Sequence, residues 1–225
     1  MCARGHRWQY TSAARVYVPL LDRLLYQHPF EGGSARRYAR DERPAFDDLD
    51  DRLLDRFAPE LAAGNGVPRR LLDLGCGPGT FVRRATARFP ALRVVAIDPS
   101  RDFAARGVVR AAGEALPLAA RSVDLAICLS SIRHVRDRAA TLAELRRVVR
   151  GLLVIVELDP DADRTRVAYH ADRLASPLLR RLFGPLVLRT APPAATIATL
   201  ARRAGFALRA LGPDPVQPVY IMELA

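Results

Sequence analysis

Leu71-Leu72-Asp73-Leu74-Gly75-Cys76-Gly77-Pro78-Gly79-Thr80 is the stretch on which the fold turns. An apolar run leads into three glycines at alternate positions, and a helix-compatible segment, 81–88, follows. A buried strand, a tight glycine turn and a helix N-terminus are how an α/β sheet builds a nucleotide pocket. Gly75, Gly77 and Gly79 have no Cβ, so the backbone can turn sharply and a ligand can come close to it. The spacing is G-x-G-x-G, with an acid, Asp73, two residues before the first glycine. Nicotinamide and flavin folds usually carry G-x-G-x-x-G instead.

Outward from this turn, strand and helix patterns alternate. Strands are predicted at 69–74, 92–97, 108–111, 122–129 and 152–158, with helices at 80–89, 100–105 and 137–149. Such alternation argues for a mostly parallel sheet covered by helices on both faces. After 158 the pattern changes. A helix is predicted over 161–174, then an apolar run over 178–188 broken at Gly184-Pro185, then a helix over 194–204. Two closing strands, 206–211 and 216–224, are predicted to join through Gly212-Pro213. Upstream, 10–26 suits a short amphipathic helix broken at Pro19, and 28–33 reads as a loop. The helical face of 41–62 (Phe46, Leu49, Leu53, Leu54, Phe57, Leu61) ends at Gly64-Asn65-Gly66.

The composition narrows the function classes. The chain has 225 residues, one ordinary domain with room for a small cap. No apolar run approaches the ~20 residues that span a bilayer. No signal-peptide core follows the start, so a cytoplasmic location is the default expectation. Three cysteines (Cys2, Cys76, Cys128) and four histidines (His6, His28, His134, His170) show neither C-x-x-C nor H-x-x-x-H spacing, so no metal site is expected. The formal charge is +11, carried by Arg with no Lys. The arginines are spread along the chain, often as pairs on helices, and fit a GC-rich coding bias. A nucleic-acid partner is therefore disfavoured.

The glycine turn resembles motif I of the class I S-adenosylmethionine-dependent methyltransferases, and later segments continue that resemblance over 45–225. It implies a Rossmann-like seven-stranded, mostly parallel sheet with an antiparallel closing hairpin, helices on both faces and a small helical lid. The lid is assigned to 1–44 and to an insertion near 159–192. In this reading Gly75, Cys76, Gly77, Gly79 and Thr80 form the cofactor-binding turn, and Asp73 lies close to the cofactor's amino-acid end. Asp98, followed by Pro99 at the end of the second strand, accepts both ribose hydroxyls. An N-cap role for Asp98 is compatible with that. Gly113-Glu114-Ala115-Leu116-Pro117 resembles the G-D-A-x-x-L-P segment that meets adenine, with Glu114 in place of Asp and Ala115 beside it. The stretch 122–135 resembles the S-F-D-x-V-x-x-x-x-x-L-H-H-V segment of quinone, sterol and natural-product methyltransferases. It places Leu129 and Ser130 at the cofactor, while Asp124 shapes the start of its strand.

Two departures stand out. Arg133 occupies a position where the family often has His or an apolar residue, which points to substrate charge. Val148-Val149-Arg150-Gly151 is shorter than L-K-P-G-G, a change expected to affect only a turn. His134 is the candidate general base, or else it orients the loop. Tyr17 from the lid, Arg133 and Tyr169 from the insertion are the candidate substrate contacts. No [N/D]-P-P-[Y/F] follows the fourth strand, and neither Cys76 nor Cys128 has the setting of base C5 methylation. The resemblance thus implies in-line methyl transfer from S-adenosyl-L-methionine to a lipid-like or secondary-metabolite hydroxyl, amine or activated carbon. An RNA or peptide methyltransferase, or a catalytically silent cofactor-binding subunit, are the alternatives. A homodimer is left open.

Overall fold

Seven strands make one sheet: β1 (Arg70–Leu74), β2 (Arg93–Asp98), β3 (Val109–Arg110), β4 (Val123–Leu129), β5 (Val149–Leu158), β6 (Leu208–Pro213) and β7 (Val219–Leu224). Their order across the sheet is β3-β2-β1-β4-β5-β7-β6. The first five run parallel, and β7 runs antiparallel to both β5 and β6. This is the sheet implied by the methyltransferase resemblance, closing hairpin included. The strand order reverses between β1 and β4, where open α/β sheets hold their ligands at the strands' carboxyl ends. The computed structural model describes residues 31–41, 46, 48–64, 66–104, 107–174 and 176–225. The helix expected at 10–26, with Tyr17, and most of the 1–44 lid lie outside the described residues.

Alternation along each strand divides the core into two layers. Leu71, Leu125, Ile127 and Val154 face one layer with Leu49, Leu53, Phe57 and Phe81. Leu72, Ala126, Cys128 and Leu153 face the other, with Leu142, Leu145, Ile197 and Ala201. All seven residues of β4 are buried, as a central parallel strand covered on both faces requires. The helices are α1 (Gly33–Asp41), α2 (Leu49–Arg56), α3 (Ala58–Leu61), α4 (Thr80–Arg88), α5 (Arg101–Ala104), α6 (Arg138–Val148), α7 (Arg164–Asp172), α8 (Pro177–Leu182) and α9 (Ala194–Arg203).

Four local expectations change. The helical face at 41–62 is broken at Phe57, and Pro59, which has no N–H to donate, sits in the first turn of α3. The run 178–188 does not break at Gly184-Pro185. The missing Pro185 N–H converts the ladder after α8 into a wider π-helical winding, Phe183–Leu188. Gly212 and Pro213 belong to β6, and the hairpin turns at Asp214. Its Oδ1 accepts from Val216 N (3.0 Å) and Gln217 N (2.6 Å), and Arg52 grips the same carboxylate from α2 at 2.7 Å. A buried Asx turn outranks the Gly-Pro signal.

The fourth change lies between α6 and β5. No turn intervenes, for α6 ends at Val148 and β5 begins at Val149. The register between β4 and β5 slips at Val123/Leu125, and a Cβ on Gly151 would run into the Asp124 carbonyl oxygen. Asp124 ties three strand starts together. Its Oδ2 accepts from Arg70 N at 2.9 Å, and its Oδ1 accepts from Arg150 Nε at 2.8 Å. Burial pushes its pKa up, but the Arg70 N–H, Arg150 and Arg69 outweigh burial and hold it below the ordinary value. With the folded pKa below the unfolded one, this stabilisation is complete above about pH 4 and is lost as pH falls through the folded value. Urea unfolding between pH 3 and 7 is expected to show that acid loss, with Asp124→Asn flattening it. An unchanged acid limb in the variant would remove Asp124 from this role.

Candidate active site

The loop after β1 is held in a set shape by its own amides. Gly75 N and Cys76 N both donate to Ile97 O, at 2.7 and 3.1 Å. Gly77 N donates to Asp98 Oδ2 at 2.9 Å, and Gly79 N to Cys76 O at 3.0 Å. Pro78 has no N–H. Each amide from Gly75 to Gly79 is therefore engaged within the protein. Gly75, Gly77 and Gly79 have φ of 74°, 55° and 76°, the left-handed region that strains any other residue. Gly75 is doubly required, because a Cβ there would overlap the Ser131 side chain, whose Oγ is bonded to Leu74 O at 2.6 Å.

Asp98 links this loop to the next element. Its Oδ1 accepts from Ser100 N at 2.8 Å while Oδ2 holds Gly77. A carboxylate offers about four lone-pair sites, so two backbone donors leave room for two more. Burial raises its pKa, partly offset by the Ser100 and Gly77 N–H groups. The thiol of Cys76, half-buried in the same loop, is pushed well up by burial and by the negative fields of Asp73 and Asp98.

A cavity of about 910 Å³ opens at the carboxyl ends of these strands. Gly75, Cys76, Gly77, Asp98, Pro99, Glu114, Ser130, Arg133 and His134 line it, all candidates read from the sequence. Asp73, Gly79, Thr80, Ala115 and Leu129 are not among its lining residues, and neither is Tyr169, whose ring lies 3.4 Å from the Arg173 guanidinium carbon. Glu114 Oε1 accepts from Asp137 N at 2.9 Å, and Asp137 caps α6 through Ala139 N and Ala140 N. Ser130 adopts a φ of 52°, and its buried Oγ has no hydrogen-bond partner among the described residues. A strained polar residue of this kind at a cavity wall suits ligand contact.

Arg133 is not displayed as a mobile cation. It is 3% exposed, donates to Val187 O at 3.0 Å, and lies 3.9 Å from Glu157, itself fully buried. Arg138 Nη2 holds the Arg133 carbonyl at 3.1 Å. The cluster fastens the end of β4 to the π-helical segment. Burial raises the Glu157 pKa against the opposing field of Arg133.

Sequence reading missed the far wall and the roof. Phe46, Leu158, His170, Leu174, Leu179, Phe183 and Val187 form an apolar half of the same cavity. Tyr38, on α1, and Phe103, on α5, cover Gly77. The two helices are joined by Asp102, which accepts from Gly32 N at 2.6 Å and from Arg36 at 3.1 Å. No single periodic pattern marks these residues as neighbours, because they come from several separate elements.

The glycine loop has spent its amides and lies beside two buried carboxylates, Asp73 and Asp98. It is poorly suited to a pyrophosphate, which binds free N–H groups. It fits a phosphate-free nucleoside that offers hydroxyls and a cationic amine, which is the donor chemistry of S-adenosylmethionine.

Comparison with known proteins agrees. Residues 72–155 match the family described as "Methyltransferase domain". The chain is 34% identical over 151 residues to a "Ubiquinone/menaquinone biosynthesis C-methyltransferase UbiE" of Syntrophotalea carbinolica, covering 54% of this chain and 62% of that protein. It is 32% identical over 113 residues to a "Malonyl-[acyl-carrier protein] O-methyltransferase" of Gallionella capsiferriformans, covering 42% of this chain and 39% of that one. The chain thus spans about half the length of the curated relatives it matches. Among solved structures, a SAM-dependent methyltransferase from Aquifex aeolicus shares the fold at a TM-score of 0.62 and 14% identity, covering 86% of this chain and 98% of that one. Residues 72–155 thus match the methyltransferase-domain family, and the sheet order and glycine turn are those of the class I S-adenosylmethionine-dependent methyltransferase fold.

Proposed function

We propose that this chain transfers the methyl group of S-adenosylmethionine to a small, largely apolar molecule, at oxygen, nitrogen or activated carbon. The observation that carries the reading is the glycine loop with every amide engaged, closed by Asp98, at the mouth of a cavity whose other half is apolar. When bound, the cofactor supplies a methyl group already activated on a sulfonium. The protein's part is then to bind, align and exclude water.

We assign cofactor contact to Gly75, Cys76, Gly77, Asp98, Pro99, Glu114 and Ser130. Asp98 would accept the ribose hydroxyls on its remaining lone pairs, and the Glu114–Ala115 segment would meet the base. Asp73, Gly79, Thr80 and Leu129 shape the loop and strand ends around them. Tyr38 and the 159–192 segment would serve as the lid. Relatives named for quinone and malonyl-carrier substrates support a small or carrier-borne acceptor. Among the described residues, no helix is long and apolar enough to cross a membrane, and no metal-holding cluster occurs. His134 lines the cavity on its exposed side, so a charge formed there would pass to solvent. That placement suits contact at the mouth.

Calorimetric titration with S-adenosylmethionine, S-adenosylhomocysteine and NAD tests the reading. Binding of both sulfur nucleotides without NAD is expected. NAD binding, or silence toward all three, would overturn it.

A further inference from the structure

His170, on α7, lines the cavity together with Phe46, Leu174, Phe183 and Val187. It is 3% exposed. Its ring stacks on Phe183 with centroids 4.5 Å apart and takes the edge of Phe46 at 4.9 Å. Nδ1 lies 2.8 Å from Oε1 of Gln217, a fully buried residue fixed by the Asp214 turn. With the Gln217 amide oxygen placed against it, an acceptor only, the proton is assigned to Nδ1 and the lone pair to Nε2, while the Gln217 amide nitrogen is buried without a hydrogen-bond partner among the described residues. Nε2 has no hydrogen-bond partner among the described residues.

We propose that His170 is a catalytic residue that takes the proton of the methyl acceptor. Gln217 is the positioning residue that fixes its tautomer, and the acceptor is an uncharged, largely apolar hydroxyl compound of the phenol class. The assignment rests on the methyltransferase reading above. In the step, the acceptor's oxygen–carbon bond forms as the carbon–sulfur bond breaks, and the hydroxyl proton passes to Nε2. The sulfonium's positive charge is thereby transferred to the imidazolium, which later releases its proton to water. Burial, partly offset by the Gln217 bond, and the Arg173 charge hold the His170 pKa below the ordinary value, so the ring is neutral and ready at pH 7. The charged groups near the pair are Arg173 at the end of α7, and Asp214 behind Gln217 with Arg52 and Arg166 upon it. Phe46, Phe183, Leu174 and Val187 make the remaining wall a surface for an aromatic ring rather than for a charge.

Imidazole nitrogen NMR on the full chain tests this without turnover, with His170→Gln identifying the signal. A neutral Nδ1–H tautomer is expected at pH 7. Gln217→Leu should shift it toward Nε2–H, and Gln217→Glu should raise its pKa, effects that a merely structural glutamine would not produce. Phenol should move the Nε2 signal, while anisole, which has no proton to give, should not. With phenol as acceptor, His170→Gln should lower S-adenosylhomocysteine formation by ~10²-fold and leave S-adenosylmethionine affinity in place. An Nε2–H tautomer or an imidazolium in the unaltered chain at pH 7, or equal responses to phenol and anisole, would overturn the proposal. Failure of the unaltered chain to bind S-adenosylmethionine would sink the methyltransferase reading instead and leave the tautomer result standing.

Discussion

Asp98→Ala is expected to weaken S-adenosylmethionine binding by about tenfold or more, because a buried acceptor with several partners is lost at once. The substitution removes the proposed ribose contact. It also releases Gly77 N and Ser100 N, so the glycine loop and the start of α5 lose their shared anchor. Asp98→Asn keeps the shape but turns one acceptor into a donor, which must face one of those N–H groups. It should therefore bind poorly too. Burial has raised the Asp98 pKa, so affinity in the unaltered chain should fall with pH from above the ordinary carboxylate range. The Asn variant should show no such bend. Calorimetry across pH 4 to 8 decides, and an Asp98→Ala chain that binds normally would take Asp98 out of the site.

Gly151→Ala is expected to destabilise the chain by ~3 kcal/mol, near the upper end for overpacking a core. At this chain length that corresponds to a melting temperature lower by roughly 6–12 °C. The added methyl would meet the Asp124 carbonyl, which is backbone and cannot swing aside, at the junction of β4 and β5. Gly212→Ala is the control, since a Cβ there meets nothing within 4 Å and the substitution only narrows the unfolded ensemble. Equal melting temperatures for the two variants would show that the β4–β5 junction gives way.

These two glycines also show what a sequence discloses. The loop at Gly75–Gly79 was legible because strand, turn and helix are consecutive, and their periodicities meet within one window. The alternation argues for a mostly parallel sheet, the methyltransferase resemblance adds its seven strands and closing hairpin, and the strand order comes from the structure alone. Gly151 was read as part of a turn, since the feature that demands it, the Asp124 carbonyl on the neighbouring strand, is invisible to local pattern. The hairpin was placed at Gly212-Pro213 for the same reason. The Asx turn that sets the hairpin is local, but the Arg52 contact that grips its Asp214 carboxylate joins residues 162 apart. In the cavity, Asp98 and Ser130 could be found from strand ends. Nothing local marks His170, because its partner Gln217 lies 47 residues away and its two aromatic neighbours, Phe46 and Phe183, come from two other segments. Local chemistry is written in spacing, while pairing across elements is written only in the folded chain.

The protonated state of Cys76 has a protective consequence. A sulfonium is an alkylating agent, and the loop proposed to seat it carries a sulfur nucleophile of its own. A thiolate at that position would compete with the acceptor and end in a dead, S-methylated enzyme. Burial beside Asp73 and Asp98 keeps the sulfur a neutral thiol, a poor nucleophile. The same carboxylates that would draw a cationic donor into place thereby spare the protein from self-alkylation.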